Sequence, residues 1–150
     1  MLQILRVHST ASILVCAPSN PAADTVARRL AKTLQPGRML RLNAPNRTFA
    51  EVADELMLYC CIKDDAFSIP PYVELMRTQV VVCSCMDASI LVSARATNAA
   101  TMQAQYDLHT VVQPLVIGPK IDPHWTHLLI DEVSLTWTGP ARLMQGRSSL

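Results

Sequence analysis

The chain is poor in glycine, with four in 150 residues. None of Gly37, Gly118, Gly139 and Gly146 is followed by Lys and then Ser or Thr, which excludes a phosphate-cradling Gly-Lys-Ser/Thr loop within the sequence. An excess of one charge is missing too. Thirteen Lys and Arg against 12 Asp and Glu leave a formal net charge of +1, so no global field draws the chain to a nucleic-acid backbone and any such contact has to be local. No apolar run reaches the roughly 18–20 residues that a bilayer span requires. The stretch from Ala11 to Ala17 is at the lower limit for a signal peptide and leads into a capped helix. The five cysteines are odd in number, with Cys60 beside Cys61 and with Cys83 and Cys85 inside one apolar run. That is not the pattern of a disulfide framework. The expectation is a soluble, cytoplasmic chain in a reducing compartment.

Hydrophobic residues make up 50% of the chain and charged ones 17%, enough apolar material for a core and unlike a disordered segment. The length suits one compact domain at most. Four apolar runs read as buried strands: Ser12 to Ala17, Arg38 to Leu42, Thr78 to Cys85 and His127 to Asp131. Most are continuous in Val, Ile and Leu rather than alternating, as strands covered on both faces of a parallel sheet are. Arg38 to Leu42 fits that pattern least well. Between the first two runs lies a helix, with Asn20 as its expected cap, Pro21 as its first residue, Asp24 near the positive end of the dipole and Pro36-Gly37 as its stop. Ala23, Ala27, Leu30, Ala31 and Leu34 recur on one face and leave Arg28, Arg29 and Lys32 towards solvent.

Further helices are expected over Thr48 to Cys61, Pro71 to Arg77 and about Asp87 to Ala96. Alternating strands and helices predict an α/β fold, a parallel sheet with helices on both faces joined by right-handed crossovers. Residues 97–123, which include Pro114, Pro119 and Pro123, read as a surface insertion with one irregular strand at Leu115-Val116-Ile117. Residues 139–150 read as a frayed tail.

Two segments carry chemistry. In His127-Leu128-Leu129-Ile130-Asp131-Glu132 an apolar strand ends in two carboxylates, and ligands of parallel α/β sheets bind outside the carboxyl ends of the strands. In nucleotide hydrolases an acid like Asp131 holds magnesium, and a neighbour like Glu132 orients or deprotonates the attacking water. The plain alternative is a solvated loop after a buried strand. In Ile13-Leu14-Val15-Cys16-Ala17-Pro18-Ser19-Asn20-Pro21-Ala22-Ala23-Asp24 a buried strand passes through Pro18, Ser19 and Asn20 straight into a helix. Free backbone amides and small polar side chains there can take a nucleic-acid phosphate without reading bases. An ordinary capped helix accounts for the same residues.

Taken together these segments resemble known ones. ILVCAPSNPAAD is similar to motif Ia of the superfamily 1B helicases, LLIDE to their motif II, and VVVCSCMDASIL to the intervening motif that also touches RNA. The stretches RLNAPNRTFAEVADELMLYC, FSIPPYVELMRTQVVVCS and IDPHWTHLLIDE resemble the Armitage and Moloney-leukaemia-virus-helicase branch, with the motifs in the same order. The resemblance runs over roughly residues 1–135 and is specific through the combination of motifs rather than through any one. It implies a RecA-like P-loop NTPase fold, use of ATP and Mg2+, and weak, sequence-independent contact with single-stranded RNA. It also implies roles: catalytic for Glu132, metal for Asp131, and RNA contact for Pro18, Ser19, Asn20 and Ser84. Residues 1–138 are then expected to be part of the first RecA-like domain.

The chain departs from that family in three places. The glycine-rich loop ending in Gly-Lys-Thr is missing, and Met1 to Thr10 resembles the tail of the helix that follows it, about three helical turns in. Past Asp131-Glu132 the γ-phosphate-sensing position holds Leu135, and the usual Thr-Thr of the middle motif is Cys83-Ser84. The expectation is a truncated helicase domain that does not hydrolyse ATP alone and has an uncovered sheet edge. A non-catalytic RNA- or protein-binding module derived from a helicase is the alternative.

Other chemistries read more weakly. Cys83 and Cys85 are two apart, as are same-face positions of a strand, and fit buried apolar packing better than a zinc site with His124 and His127. Nothing in the spacing sets a base beside Cys16 or Cys85 for nucleophilic catalysis. Arg28, Arg29, Lys32, Arg38, Arg41 and Arg47 make the first third locally basic, which can guide RNA or simply solvate a helix face. Trp125 and Trp137 can stack on bases or pack beside a strand.

Overall fold

The computed structural model describes residues 1–112 and 121–131. In chain order it has α1 (Leu2–Val7), β1 (Ile13–Ala17), α2 (Asn20–Ala31), β2 (Met39–Arg41), a 3-10 turn (Phe49–Glu51), α3 (Asp54–Met57), β3 (Ile62–Lys63), β4 (Ala66–Phe67), α4 (Tyr72–Arg77), β5 (Val80–Ser84), α5 (Ala88–Ser93), α6 (Asn98–Val112) and β6 (His127–Ile130). Four strands form one sheet in the order β2-β5-β1-β6, every pairing parallel. All four expected strands are there, each trimmed by a residue or more. The fold is α/β, consistent with a RecA-like domain.

Helices lie on both faces because β1 and β5 are buried at every position and apolar at all but Ser84. Ile13, Val15, Ala17, Val80 and Val82 point to one side, where they pack with Leu5 of α1, Ala23, Ala27 and Leu30 of α2, and Leu56 of α3. Leu14, Cys16, Val81 and Cys83 point to the other, against Leu75 of α4, Leu91 of α5, Ala96 and Trp125. The continuous rather than alternating strand pattern thus has its cause in burial on two sides. Among the described residues β6 pairs only with β1, and its Leu128 and Ile130 are 42% and 48% exposed.

Three local expectations are corrected. The helix expected over Thr48 to Cys61 is instead a 3-10 turn and a short α3, separated by extended backbone at Val52 and Ala53. The Arg47 guanidinium donates to the Glu51 carbonyl at 3.0 Å, where the 3-10 turn ends and the backbone becomes extended. Next comes the β3-β4 hairpin, which the sequence reading missed. Its turn residues Asp64 and Asp65 have φ of 51° and 56°, the left-handed geometry of a two-residue hairpin turn, encoded here by Asp-Asp rather than by the stronger Asn-Gly signal. Finally, the insertion expected over 97–123 contains the 15-residue helix α6. Only Thr101 of that helix is buried, so it carries no strong apolar stripe from which to be read. The strand expected at Leu115-Val116-Ile117 and the tail at 139–150 lie outside the described residues.

Candidate functional site at the carboxyl rim of the sheet

Because the strands are parallel, their carboxyl ends share one rim, and the register sets the segments on it. Ala17 is the partner of Ser84, and the Cys85 amide donates to the Ala17 carbonyl at 2.8 Å. On the other side of β1, Cys16 is the partner of Ile130, and the Asp131 amide donates to the Cys16 carbonyl at 2.9 Å. Pro18, Ser19, Asn20, Ser84 and Asp131 therefore come from three neighbouring strand ends. Glu132, Leu135 and Trp137 lie outside the described residues.

The individual positions differ in what they offer. Pro18 and Ser19 are exposed and Asn20 is half-buried. Ser19, in extended backbone, caps α2 by accepting the Ala22 amide at 3.4 Å. The cap is thus Ser19, not the expected Asn20, and the helix starts one residue earlier. Ser84 is 4% exposed, and its hydroxyl oxygen accepts the Asp87 amide at 3.0 Å, bracing the turn into α5. Asp131 is exposed. Among the described residues no group of three or more His, Cys, Asp or Glu side chains converges as a metal cage. A lone carboxylate fits magnesium in the manner of nucleotide sites, where one or two acids share the octahedral shell with substrate phosphates and water.

Behind the rim lies a charged network that sequence reasoning misassigned. Asp24 is 4% exposed and lies beyond the first turn of α2, so it does not serve the dipole as expected. Its Oδ1 accepts Arg41 Nε at 2.8 Å and Arg47 Nη1 at 3.1 Å, and its Oδ2 accepts Arg47 Nη2 at 2.6 Å. Burial pushes the Asp24 carboxyl up, but the hydrogen bonds and charges of Arg47 and Arg41 outweigh it and hold the carboxyl below its ordinary range. The Asp24 hydrogen bond likewise raises Arg47 against burial. Arg41 and Arg47 are therefore not a basic surface for RNA. The signal was present in the sequence: Arg41 stands between Leu40 and Leu42 in a short apolar strand, and a charge in a buried strand demands a partner.

The remaining cations are also away from the rim. Arg38 precedes β2 and bonds Gln79 Oε1 through Nε at 2.8 Å, at the amino end of the sheet. Arg28, Arg29 and Lys32 line an open groove with Glu55, Leu58 and Tyr59 near the far end of α2. Trp125 is 8% exposed with its Nε1 donating to the Ala96 carbonyl at 2.7 Å, a packing residue with its polar atom satisfied. Cys83 is buried with its thiol pushed up by the contact with Cys16, 3.8 Å away, and by burial. Burial raises Cys85 as well and takes Cys60 to about 11. These three thiols are set up as small apolar groups rather than nucleophiles.

The chain matches RNA helicase Mov10l1 of Homo sapiens at 30% identity over 134 residues, 86% of this chain and 9% of that protein. It matches RNA helicase Mov10l1 of Mus musculus at 34% over 92 residues, 58% of this chain and 7% of that protein. The chain belongs to the Armitage and Moloney-leukaemia-virus-helicase branch of the RNA helicases. A third member, putative helicase MOV-10 of Gallus gallus, is 30% identical over 95 residues, 61% of this chain and 10% of that protein. The chain spans about a tenth or less of the length of these relatives. No protein-family model and no solved structure matches it. Among the described residues of this branch member no helix is long and apolar enough to cross a membrane.

Proposed function

We propose that the chain is a portion of an ATP-dependent RNA helicase motor, in which the Pro18-Ser19-Asn20 turn grips the backbone of single-stranded RNA beside a magnesium position at Asp131. The observation that carries the reading is the register that sets Ser84 and Asp131 on either side of the end of β1. An RNA phosphate at the start of α2 meets the Asn20 amide at the positive end of the helix dipole, the Ala22 and Ala23 amides being taken by Ser19 and Pro21 having none, which favours an anion and is indifferent to the base. Ser84, buried beside the end of β1, braces the turn into α5, and Asp131 is exposed on the same rim. Magnesium, when bound with ATP, supplies charge neutralisation at the phosphates, and Glu132 is the residue to orient the attacking water. Phosphate-gripping glycines are not among these 150 residues, so ATP turnover is assigned to the larger helicase and not to this stretch by itself. That same lack favours a second reading, a binding module that kept the RNA turn without the motor. A cytoplasmic setting is part of the proposal.

The test is titration of a labelled oligouridine with the 150-residue chain at several salt concentrations, beside an assay of magnesium-dependent ATP turnover. Affinity is expected to fall as salt screens the phosphate from the helix start, and Ser19→Glu is expected to weaken it roughly tenfold, one charge-assisted contact. An affinity indifferent to salt and to Ser19→Glu refutes the RNA turn. ATP turnover that Glu132→Gln abolishes refutes the assignment of catalysis to the larger protein.

A further inference from the structure

With Ser19 serving as the cap, the Asn20 side chain is released from helix duty and meets Arg41. Arg41 Nη2 donates to Asn20 Oδ1 at 2.9 Å and to the Asn20 carbonyl at 3.4 Å. A guanidinium has donors and no acceptor, so the amide oxygen has to face it and the amide nitrogen has to face away. Among the described residues Asn20 Nδ2 donates to no group.

Arg41 is itself immobilised. Its side chain is fully buried, with Nε on Asp24 and Nη1 donating to the Leu42 carbonyl. Asp24 is held by Arg47, whose Nη1 also donates to Asn43 Oδ1 at 2.7 Å. Asn43 in turn is 1% exposed and reaches Cys60 Sγ through Nδ2 at 3.3 Å. A chain of locked groups thus runs from the core to one half-buried amide on the rim.

We propose that Arg41 is a positioning residue, which orients the Asn20 carboxamide so that its two N–H donors face a non-bridging phosphate oxygen of single-stranded RNA. The proposal rests on the reading of Pro18-Ser19-Asn20 as an RNA-backbone turn, and it adds how that turn is made donor-only. An amide free to flip would present its oxygen to the phosphate half of the time, and like acceptors repel. Arg41 contributes orientation rather than a direct phosphate contact, because its side chain is 0% exposed and its donors are taken by Asp24, Leu42 and Asn20.

The experiment is a double-mutant cycle on oligouridine binding by the 150-residue chain, with Asn20→Ala, Arg41→Lys and the pair together, each checked by circular dichroism. Asn20→Ala is expected to weaken binding about three- to tenfold, the worth of one or two hydrogen bonds, Arg41→Lys about twofold, since an amide free to flip is competent half of the time, and the pair no more than Asn20→Ala alone. The salt slope is expected to stay as in the parent chain, since no phosphate-neutralising charge is lost. Losses that multiply, a slope that falls with Arg41→Lys, or an affinity untouched by it overturn the proposal. Should Arg41→Lys fail to fold, Asn20→Asp decides: it keeps the bond to Arg41, so the melt is expected at or above the parent's while RNA binding drops tenfold or more. Unchanged binding there overturns the proposal. Ser19→Glu separates the two levels, because indifference to Ser19→Glu removes the RNA turn itself, whereas a loss with Ser19→Glu beside indifferent Asn20 and Arg41 variants removes only the positioning role.

Discussion

Replacing Asp24 by Asn keeps the shape of the side chain and deletes the anion between two buried guanidinium groups. The side chains of Arg41, Arg47 and Asp24 are 0%, 5% and 6% exposed, so water cannot screen what remains. Asn Oδ1 can still accept from Arg41 Nε and Arg47 Nη1, but its Nδ2 then faces Arg47 Nη2, donor against donor, where the present contact is 2.6 Å. Breaking one side of a buried ion pair costs about 3–5 kcal/mol. That is a large part of the roughly 5–15 kcal/mol by which a domain is stable, and it lowers Tm by roughly 6–20 °C for a chain of this size. Urea denaturation followed by circular dichroism measures it, with Arg28→Gln as the comparison. That change breaks the Arg28–Glu55 pair, whose side chains are 48% and 66% exposed, and is worth at most about 1 kcal/mol. The pH dependence carries a second signature. The Asp24 carboxyl titrates lower in the folded chain than in the unfolded one, so its stabilisation is complete above the unfolded value of about 3.9 and is lost as pH falls through the folded value. The gap between parent and Asp24→Asn is therefore flat above about pH 5 and closes in acid. A loss below about 1 kcal/mol, or a gap that does not close, would refute the view that this network braces the rim.

Two further outcomes follow from the packing. Leu56→Ala, in the short α3 beneath α2, empties a site that is 0% exposed and is expected to cost about 2–5 kcal/mol by denaturant titration; a value near zero would mean that α3 is not docked on the core. Asp65→Gly, at φ 56° in the β3-β4 turn, relieves a left-handed backbone and is expected to raise stability by about 0.5–1 kcal/mol. A decrease there would show that the Asp65 side chain contributes more than its backbone strain costs.

Most of the sheet was legible because buried parallel strands announce themselves as short continuous runs of Val, Ile and Leu, and all four runs became strands. The strand-to-helix turn at Pro18 to Asn20 was equally plain, since Pro and small polar residues there have local meaning. Less was visible where the deciding partner is far along the chain. The break in the expected Thr48 to Cys61 helix lies where Arg47, held by Asp24 23 positions away, reaches the Glu51 carbonyl. Nothing local to residues 48–61 encodes the tie from Arg47 to Asp24. The β3-β4 hairpin was missed because Asp-Asp is a weak form of its turn signal, and α6 because a mostly exposed helix shows little apolar period.

By itself the sequence determined the α/β class, the order of the strands along the chain, the helicase kinship and the motifs that belong on the carboxyl rim, all of which depend on residue type and spacing within short windows. Only the tertiary structure decided that Ser19 rather than Asn20 caps α2, that Arg41 and Arg47 face inward to Asp24 instead of outward to solvent, and that Ser84 lies beneath the rim. The physical reason is that a charge in the interior is settled by its partner: Asp24 and Arg41 are 17 positions apart and Asp24 and Arg47 are 23, and only folding brings their opposite charges together out of water.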